Sequence, residues 1–308
     1  EGGARFVEFR GGFLFGVGTF GAGTWWLYVS IHGFGEAPVW LTLVLIVALV
    51  TIMAAWQALL GYLAARLLPA AGALRWLVGL PALWLLIEWW RGWFLSGFPW
   101  LSLGYSQTDT VLAALAPVGG VYLLSAVLVL GAGALLALLR GRGAVRLLAV
   151  AALLGPWAAA LALRTVDWTL PEGAPVSVAV AQGAVPQDLK WQLENRVPTR
   201  ELYRGLNERV LGTRLIVWPE AALPELANEA QDFLKQVYAA GHEHGSDILM
   251  GVVRADGEDY YNSILALGDT VAFYDKRHLV PFAEYFPVPA FVRRWLRLMS
   301  LPYSDFER

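Results

Sequence analysis

The sequence predicts a polytopic bundle of hydrophobic membrane helices followed by an α/β domain. Of its 308 residues, 57% are hydrophobic and 16% are charged, which suits a membrane protein better than a soluble one. The apolar residues are concentrated before Arg164, whereas most of the charge follows Asp167. Strand-like and helix-like segments alternate after that point. We therefore expect a transmembrane domain of residues 1–166 and an α/β domain of residues 167–308.

Five apolar segments of the first domain approach or exceed the roughly 20 residues that cross the hydrocarbon core of a bilayer. They are Phe13–Ser30, Val39–Leu63, Trp76–Trp90, Val111–Leu139 and Leu147–Leu163. The third is the shortest, and the fourth is long enough to include a surface or re-entrant piece before its helix. The sequence thus predicts about five membrane spans.

Arginines are distributed unequally between the loops of a five-span path. One side carries Arg5, Arg10, Arg66, Arg75, Arg140, Arg142 and Arg146. The opposite loops, Ile31–Pro38 and Arg91–Thr110, carry a single arginine. Because positively charged loops stay in the cytoplasm, the domain after Arg164 is expected on the periplasmic or extracellular side.

The loop segment Arg91–Trp100 combines aromatic residues with two glycines and one proline, so it cannot form a simple helix. We expect it to lie along the membrane interface. Residue type favours an aromatic belt, and a wall for lipid chains is the alternative. Glu88 and Arg91 have the i,i+3 spacing of a helical ion pair, which would satisfy both charges at the membrane edge. A grip on a lipid headgroup is the less favoured interpretation.

The second domain alternates strands and helices, as α/β domains do. The predicted strands are Val176–Val180, Leu215–Trp218, Asp247–Val253, Asn262–Gly268 and Val271–Lys276. The predicted helices are Asn195–Leu211 and Glu229–His244. The last two strands are joined by a short Gly-Asp turn, which predicts a hairpin.

Two charged residues follow predicted strands. Glu220 comes after a buried strand through a proline, so its carboxylate is expected at the carboxyl end of the sheet, where open α/β sheets bind ligands. On this feature alone, a solvated turn or helix-cap residue is the more common explanation. Lys276 ends a strand beside Arg277 and His278, and such a charged run is usually a surface face.

The composition argues against several classes of function. A net charge of −2, without a basic cluster, gives no reason to expect a nucleic-acid partner. The sequence has no cysteine, so disulfides and cysteine metal sites are excluded within it. His242 and His244 would point to different sides of a helix, so we expect neither a metal nor another cofactor. The predicted spans carry almost no ionisable residues, which argues against a transporter or channel.

Two motifs, Ile216–Glu220 and Tyr274–Pro287, resemble the Glu and Lys motifs of the nitrilase, or carbon-nitrogen hydrolase, superfamily. They are most similar to those of its membrane branch, the apolipoprotein N-acyltransferase family. Other stretches resemble that family in the same order: Gly97–Gln107, Gln182–Gln187, Lys190–Trp191 and Tyr261–Asn262. Several motifs in one order make the resemblance more specific than any single match.

The resemblance implies an αββα sandwich for the second domain, a multi-pass location in the bacterial inner membrane and a catalytic domain in the periplasm. That family moves an acyl chain from a phospholipid, typically phosphatidylethanolamine, to the amino group of the diacylglyceryl-cysteine that begins an apolipoprotein. A thioester on an enzyme cysteine is the intermediate. The implied partners are a phospholipid donor, an apolipoprotein acceptor and the membrane.

The resemblance also implies catalytic roles for three residues. Glu220 corresponds to the general base, and Lys276 to the cation that stabilises the tetrahedral oxyanion. Glu284 corresponds to a second acidic residue that orients Lys276 or the nucleophile, with a capping or surface role as the alternative. The residues expected to bind substrate are Trp191, Tyr261, Asn262 and Trp100. For Trp191, burial as a core tryptophan is nearly as plausible.

The cysteine nucleophile of the family has no counterpart in these residues. We expect a truncated, inactive chain whose nucleophile lies beyond Arg308, because Ser300 and Ser304 have no motif or neighbouring base that would make them substitutes. Two other functions stay open. One is a non-catalytic membrane-bound fragment that binds lipid or lipoprotein, and the other is a carbon-nitrogen amidase, which would not need membrane spans.

Overall fold

The computed structural model describes residues 2–35, 37–94, 97–257, 259–280, 284 and 306. The chain forms two compact units, whose main division falls between Pro171 and Glu172. The first unit is helical. The second contains a sheet with helices packed on it.

The helices of the first unit follow one another through connections of very different length. They are α1 (Gly2–Gly23), α2 (Val39–Leu67), α3 (Leu80–Arg91), α4 (Ala116–Arg140) and α5 (Ala144–Leu163). Short π-helical segments precede α2 and α3, at Val29–Phe34 and Leu74–Gly79. Before α4 there are 3-10 turns at Leu103–Gln107 and Val111–Leu115.

Within the described ranges, three helical segments are long and apolar enough to cross a membrane, judged by length and composition. They are Val39–Leu67, Val111–Arg140 and Ala144–Leu163. These segments confirm the second, fourth and fifth predicted spans as long apolar helices. The third predicted span crosses a change from π-helix to α-helix at Leu80, and α3 alone has 12 residues, which is short for a spanning helix.

The predicted bounds of the first span are wrong. The helix runs over Gly2–Gly23, whereas the apolar pattern predicted Phe13–Ser30. The helix thus includes charged residues, one of which is paired with a distant part of the chain: Arg75 donates to Glu8 at 2.7 Å. A hydropathy pattern reports only where apolar residues are concentrated, so it cannot predict an ion pair between distant parts of the chain.

The fourth predicted span contains a break in its helical backbone, and a surface or re-entrant piece before its helix stays a prediction. Gly119 and Gly120 interrupt the helical backbone near the start of α4, and Gly120 has φ of 62°. Glycine adopts this left-handed conformation without a steric penalty. The regular helix therefore begins after Gly120.

The predicted ion pair of Glu88 and Arg91 is confirmed, with 3.9 Å between Glu88 Oε1 and Arg91 Nη2. Both side chains are buried. Arg91 also donates to the carbonyl oxygens of Phe98 and Trp100 at 2.5 and 2.8 Å, and Glu88 accepts from the backbone N–H of Leu103 at 3.0 Å. Because these groups are removed from water, the hydrogen bonds hold the backbone of Phe98, Trp100 and Leu103 against the end of α3.

The second unit is α/β, as predicted. Its strands are β1 (Val178–Val180), β2 (Leu215–Val217), β3 (Asp247–Asp256), β4 (Asp259–Leu267) and β5 (Val271–Asp275). Its helices are α6 (Gln187–Lys190), α7 (Arg196–Glu208) and α8 (Gln231–Glu243), with a 3-10 turn at Leu193–Asn195. The strands lie in the order β1-β2-β3-β4-β5. Strands β1 to β3 are parallel, and the pairs β3–β4 and β4–β5 are antiparallel.

The core of the second unit lies between the sheet and helices α7 and α8. Ile216 and Met250 contribute from the sheet, and Tyr203 and Phe233 contribute from the helices. Tyr203 stacks on Trp218, with 4.8 Å between ring centres. Burial of each large apolar side chain stabilises the unit by about 1.5–3 kcal/mol. This packing holds the end of β2 in place, and the residues that follow β2 belong to the candidate site.

Candidate active site

Glu220 lies in a tight turn after β2 that is tied to β3. Gly251 donates its backbone N–H to Pro219 O at 3.2 Å, and Gly251 O accepts from Ala222 N at 2.8 Å. Ala221 has φ of 43°, a conformation that costs energy for a residue with a Cβ. A Cβ on Gly251 would lie 2.5 Å from Glu220 Cα, so the close approach requires glycine at this position.

Asn262 and Lys276 lie side by side on neighbouring strands. The backbone N–H of Lys276, just after β5, donates to Asn262 O of β4 at 2.8 Å. The preceding pair in the ladder is Ser263 with Asp275, so Asn262 and Lys276 are the next pair. Because directly opposed residues of a sheet project to the same side, both side chains face the Glu220 turn.

Glu220, Asn262, Lys276 and Glu284 form a closed ring of hydrogen bonds, called here the four-residue cluster. Lys276 Nζ lies 3.2 Å from Glu220 Oε1 and 2.8 Å from Glu284 Oε1. Asn262 Nδ2 lies 2.5 and 2.8 Å from the same two oxygens. The structure thus brings the three predicted catalytic residues together and adds Asn262, which was predicted to bind substrate.

The two carboxylates of the cluster are in different surroundings. The side chain of Glu284 is 12% exposed, and its second oxygen accepts from the backbone N–H of Val280 at 2.7 Å. The side chain of Glu220 is 64% exposed, and none of the hydrogen bonds it accepts from described residues ends on Oε2. Glu284 is therefore suited to orient its neighbours, whereas Glu220 can accept a proton from an incoming group.

The contacts of the cluster favour the ionised forms of Glu220 and Lys276. The hydrogen bond from Asn262 is the main cause of a lowered pKa of Glu220, and Lys276 lowers it further against the effect of burial. Burial by itself lowers the pKa of Lys276, but the hydrogen bonds and charges of Glu284 and Glu220 outweigh it, so the pKa is raised. A carboxylate beside an ammonium can take up a proton while the cation stabilises a negative oxygen.

Lys190 and Trp191, at the end of α6, flank the Glu220 turn. Lys190 Nζ donates to Glu220 O at 3.3 Å and lies 5.8 Å from the ring centre of Trp191. Burial lowers the pKa of Lys190, and the charge of Glu220 partly offsets this effect. Trp191 is 51% exposed, so it is not a core tryptophan. Its indole offers apolar area close to the cluster.

Each of the other two predicted substrate-binding residues contacts residues of its own unit. Tyr261 precedes Asn262 in β4 and faces the other side of the sheet, where the guanidinium of Arg254 lies 4.4 Å from its ring centre. Trp100 belongs to the first unit, where its ring stacks on Phe98 at 5.5 Å. Their roles in substrate binding stay predictions.

The sequence analysis missed the structural role of Gly251 and the bridging position of Asn262. Gly251 interrupts an apolar strand, and an isolated glycine in a strand often marks a close backbone approach. Asn262 had no such indication, because its contacts depend on pairing between distant strands.

In the part of the chain that the structure describes, no group of three or more His, Asp or Glu side chains is arranged to hold a metal ion.

Comparison with known proteins finds two family models along the chain. Residues 4–134 match the model described as apolipoprotein N-acyltransferase N-terminal domain, and residues 177–297 match the carbon-nitrogen hydrolase model. The second match includes the whole four-residue cluster. Together the two models cover most of both units.

Curated relatives match nearly the whole chain. Proteins named apolipoprotein N-acyltransferase from Pseudomonas putida and Azotobacter vinelandii are 44% and 43% identical to it, over 96% of its length. The protein of that name from Methylococcus capsulatus is 40% identical over 96% of the chain. The chain spans about 60% of the length of these relatives. With both family models in their order and relatives of this identity, the chain belongs to the apolipoprotein N-acyltransferase family.

Proposed function

We propose that this protein is an N-acyltransferase that moves an acyl chain from a phospholipid, phosphatidylethanolamine by the family resemblance, to the N-terminal diacylglyceryl-cysteine of apolipoproteins. The observation that carries the proposal is the four-residue cluster, in which an exposed carboxylate lies 3.2 Å from an ammonium. Acyl transfer needs a base for the nucleophile and a cation for the oxyanion. The names of the relatives support the same activity.

In the first half-reaction, Glu220 takes the proton of a thiol, and the thiolate attacks the ester carbonyl carbon of the phospholipid. The carbonyl oxygen becomes an oxyanion, which Lys276 stabilises. Collapse of this intermediate breaks the ester C–O bond, and Glu220 returns its proton to the departing alcohol of the lysophospholipid. The acyl chain is then held as a thioester.

In the second half-reaction, the α-amino group of the apolipoprotein attacks the thioester carbon, and Glu220 accepts a proton from the amine. The C–S bond breaks, an amide is formed, and the thiolate recovers the proton. Glu284 keeps Lys276 in place during both steps, because it holds the ammonium at 2.8 Å.

The thiol is not among these residues, since the sequence contains no cysteine. The proposal therefore requires a cysteine from another part of the protein, within hydrogen-bonding reach of Glu220 Oε2. The exposed indole of Trp191 is proposed to contact the lipid portion of a substrate, because it offers apolar area beside the Glu220 turn.

The proposal also includes a location. The helices would lie in the bacterial inner membrane, and the α/β domain, as half of an αββα sandwich, would lie in the periplasm. The distribution of arginines between the loops supports this orientation. Three apolar helices of membrane-spanning length support a membrane location.

The test uses the protein expressed from its complete gene, supplied with phosphatidylethanolamine and a diacylglyceryl-cysteine peptide. Mass spectrometry follows the acylation of the peptide. Glu220→Gln keeps the size of the side chain but removes its basicity, so we expect near-complete loss of acyl transfer. Glu229→Gln is the matched control, because Glu229 pairs with Arg196 at the surface of the same unit, and it should retain activity.

The result separates the proposal from its two alternatives. Unchanged acyl transfer by the Glu220→Gln protein would overturn the assigned role of the base. Binding of the peptide without any change of its mass, in the unsubstituted protein, would identify a non-catalytic scaffold. Release of ammonia from small amides without acylation of the peptide would identify an amidase.

A further inference from the structure

A second polar cluster lies behind the first, on the opposite face of β4 and β5. Arg254 donates from Nε and Nη2 to the two carboxylate oxygens of Asp275, at 2.9 and 2.6 Å. Two parallel hydrogen bonds of this kind fix both the distance and the orientation of the partners. Ser263 Oγ donates to the same carboxylate at 2.6 Å. The Asp275 side chain is therefore held from two strands.

Arg254 reaches across an entire strand to make this contact. It belongs to β3, Asp275 ends β5, and β4 lies between them. On the way, its guanidinium lies 4.4 Å from the ring centre of Tyr261 and 5.7 Å from that of Phe273. A cation over aromatic rings adds to the ion pair. One side chain thus connects three strands at the end of the sheet that carries the four-residue cluster.

The residues that Arg254 contacts are chain neighbours of the two donors in the cluster. Tyr261 precedes Asn262, and Asp275 precedes Lys276. Strand β5 has only 5 residues and lies at the edge of the sheet that the described residues form. Its first four side chains are exposed and Asp275 at its end is half-buried, so the position of this end depends strongly on the hydrogen bonds of Asp275. A segment with so few buried contacts opens locally at a low free-energy cost.

We propose that Arg254 is a positioning residue for acyl transfer, which fixes Asp275 and thereby holds the end of β5 so that Lys276 stays between Glu220 and Glu284. This inference depends on the function proposed above. The ammonium of Lys276 sits on a flexible four-carbon stem, so its position depends on that of the backbone. A displacement of about 1 Å at a catalytic group can lower a rate on the order of 100-fold.

The effect of Arg254 on the position of Lys276 can be measured through the protonation of Glu220, because the polar groups around Glu220 influence its pKa. Lys276, Lys190 and Asn262 face Glu220, and Glu284 lies across the ring from it. Of these residues, only Lys276 directly follows the edge strand β5. If Lys276 lost its ordered position, its positive charge would no longer lie beside Glu220. The pKa of Glu220 would then rise, and its carboxylate would stay protonated up to a higher pH.

The experiment compares Arg254→Gln, Arg254→Lys, Asp275→Asn and the double variant Arg254→Gln/Asp275→Asn in the complete protein. The readouts are kcat, KM and the pH dependence of kcat/KM for acylation of the peptide. The control is Arg214→Gln, because Arg214 makes a comparable ion pair with Asp247 at 2.9 Å near the start of β2 and β3. Thermal unfolding of each variant shows that the assays use folded protein.

We expect kcat to fall about 10- to 100-fold in Arg254→Gln, with KM nearly unchanged and the acidic limb of the profile moved to higher pH. Arg254→Lys should not restore activity, because an ammonium cannot make the paired contact. The double variant should lose little more than either single variant, since one interaction is removed. Arg214→Gln should leave all three readouts unchanged.

Two results would overturn the inference. One is a loss in Arg254→Gln that leaves the acidic limb in place or appears only in KM, and the other is a loss equal to that of Arg214→Gln. Failure of the proposed function is a separate outcome, since it would appear as retained acyl transfer in Glu220→Gln. Arg254→Lys provides a folded variant if Arg254→Gln does not fold.

Discussion

Asn262 and Lys276 donate hydrogen bonds to the same two carboxylate oxygens, Glu220 Oε1 and Glu284 Oε1. One donor is a neutral amide and the other is an ammonium. Two carboxylates this close together repel each other when both are ionised. The ring of hydrogen bonds offsets this repulsion, because each of the two carboxylate oxygens accepts one hydrogen bond from the ammonium and one from the neutral amide. Asn262 therefore helps to keep Glu220 ionised.

Substitution of Asn262 should move the pH dependence of the reaction. The hydrogen bond from Asn262 lowers the pKa of Glu220, so Asn262→Ala should raise that pKa. A base acts in its ionised form, and the acidic limb of kcat/KM should therefore move to higher pH. Asn228→Ala is the control, because Asn228 contacts the backbone of Ala255 and lies outside the cluster. Coincident profiles of Asn262→Ala and unsubstituted protein would contradict the assigned role.

The two carboxylates should differ in their contribution to stability. Glu284 is mostly buried and accepts hydrogen bonds from Asn262, Lys276 and Val280, and a hydrogen bond to a charged group contributes about 1.5–3 kcal/mol. We expect Glu284→Gln to lower the free energy of unfolding by about 2 kcal/mol. Glu220→Gln, at a mostly exposed side chain, should change it by less than about 0.5 kcal/mol. Thermal unfolding of both variants, with activity measured alongside, makes the comparison. Equal unfolding temperatures would show that Glu284 has no special structural role.

The strands of the second unit were predictable because their apolar runs are short and are bounded by turns. The prediction for β2 was wrong by a single residue, Trp218, and both long helices, α7 and α8, were predicted within three residues of their ends. Glu220 and Lys276 each follow a predicted strand, but a turn or surface role was the more common explanation of that position, and their catalytic roles were implied only by the family resemblance. Arg254 could not be selected from the sequence, since its contact with Asp275 joins β3 to β5 across the intervening strand, and a local pattern contains no information on such pairing.

The membrane half was less predictable at its first helix. Hydropathy finds an apolar run, but the helix starts where backbone hydrogen bonds can begin, here at Gly2. Charged residues extend such a helix if they find partners, as Glu8 does with Arg75. The break at Gly120 in α4 also depends on a backbone angle, which the sequence indicates only through a pair of glycines.

Gly251→Ala should displace the candidate base. A methyl group at this position would lie 2.5 Å from both Glu220 Cα and Pro219 O, and these backbone atoms cannot move independently of the turn. We expect destabilisation of about 1–3 kcal/mol and loss of acyl transfer on the order of 100-fold. The measurements are thermal unfolding and the rate of peptide acylation.

The matched control for this substitution is Gly205→Ala in α7. A Cβ at Gly205 would point into open space, and alanine favours a helix over glycine by about 0.5–1 kcal/mol. Gly205→Ala should therefore keep full activity and unfold at the same or a higher temperature. Comparable activity of the two alanine variants would mean that the close approach of β3 does not position Glu220.

The last prediction concerns the buried ion pair in the first unit. Arg91→Met removes the guanidinium that donates to Phe98 and Trp100 and leaves Glu88 charged and buried. Breaking one partner of a buried pair costs about 3–5 kcal/mol, so this variant should unfold at a clearly lower temperature in detergent. Arg10→Met, at an exposed arginine of α1, is the control and should change little.

The double variant Glu88→Gln/Arg91→Met separates the cost of an unpaired buried charge from the loss of the hydrogen bonds that Arg91 donates. If the unpaired charge dominates, the double variant should recover most of the lost stability, because no buried charge is left. Acyl transfer should nevertheless stay low if Trp100 binds substrate as predicted, since Arg91 holds the carbonyl of Trp100 at 2.8 Å and neither variant restores that hydrogen bond. Recovery of stability together with full activity would remove Trp100 from the proposed substrate-binding residues.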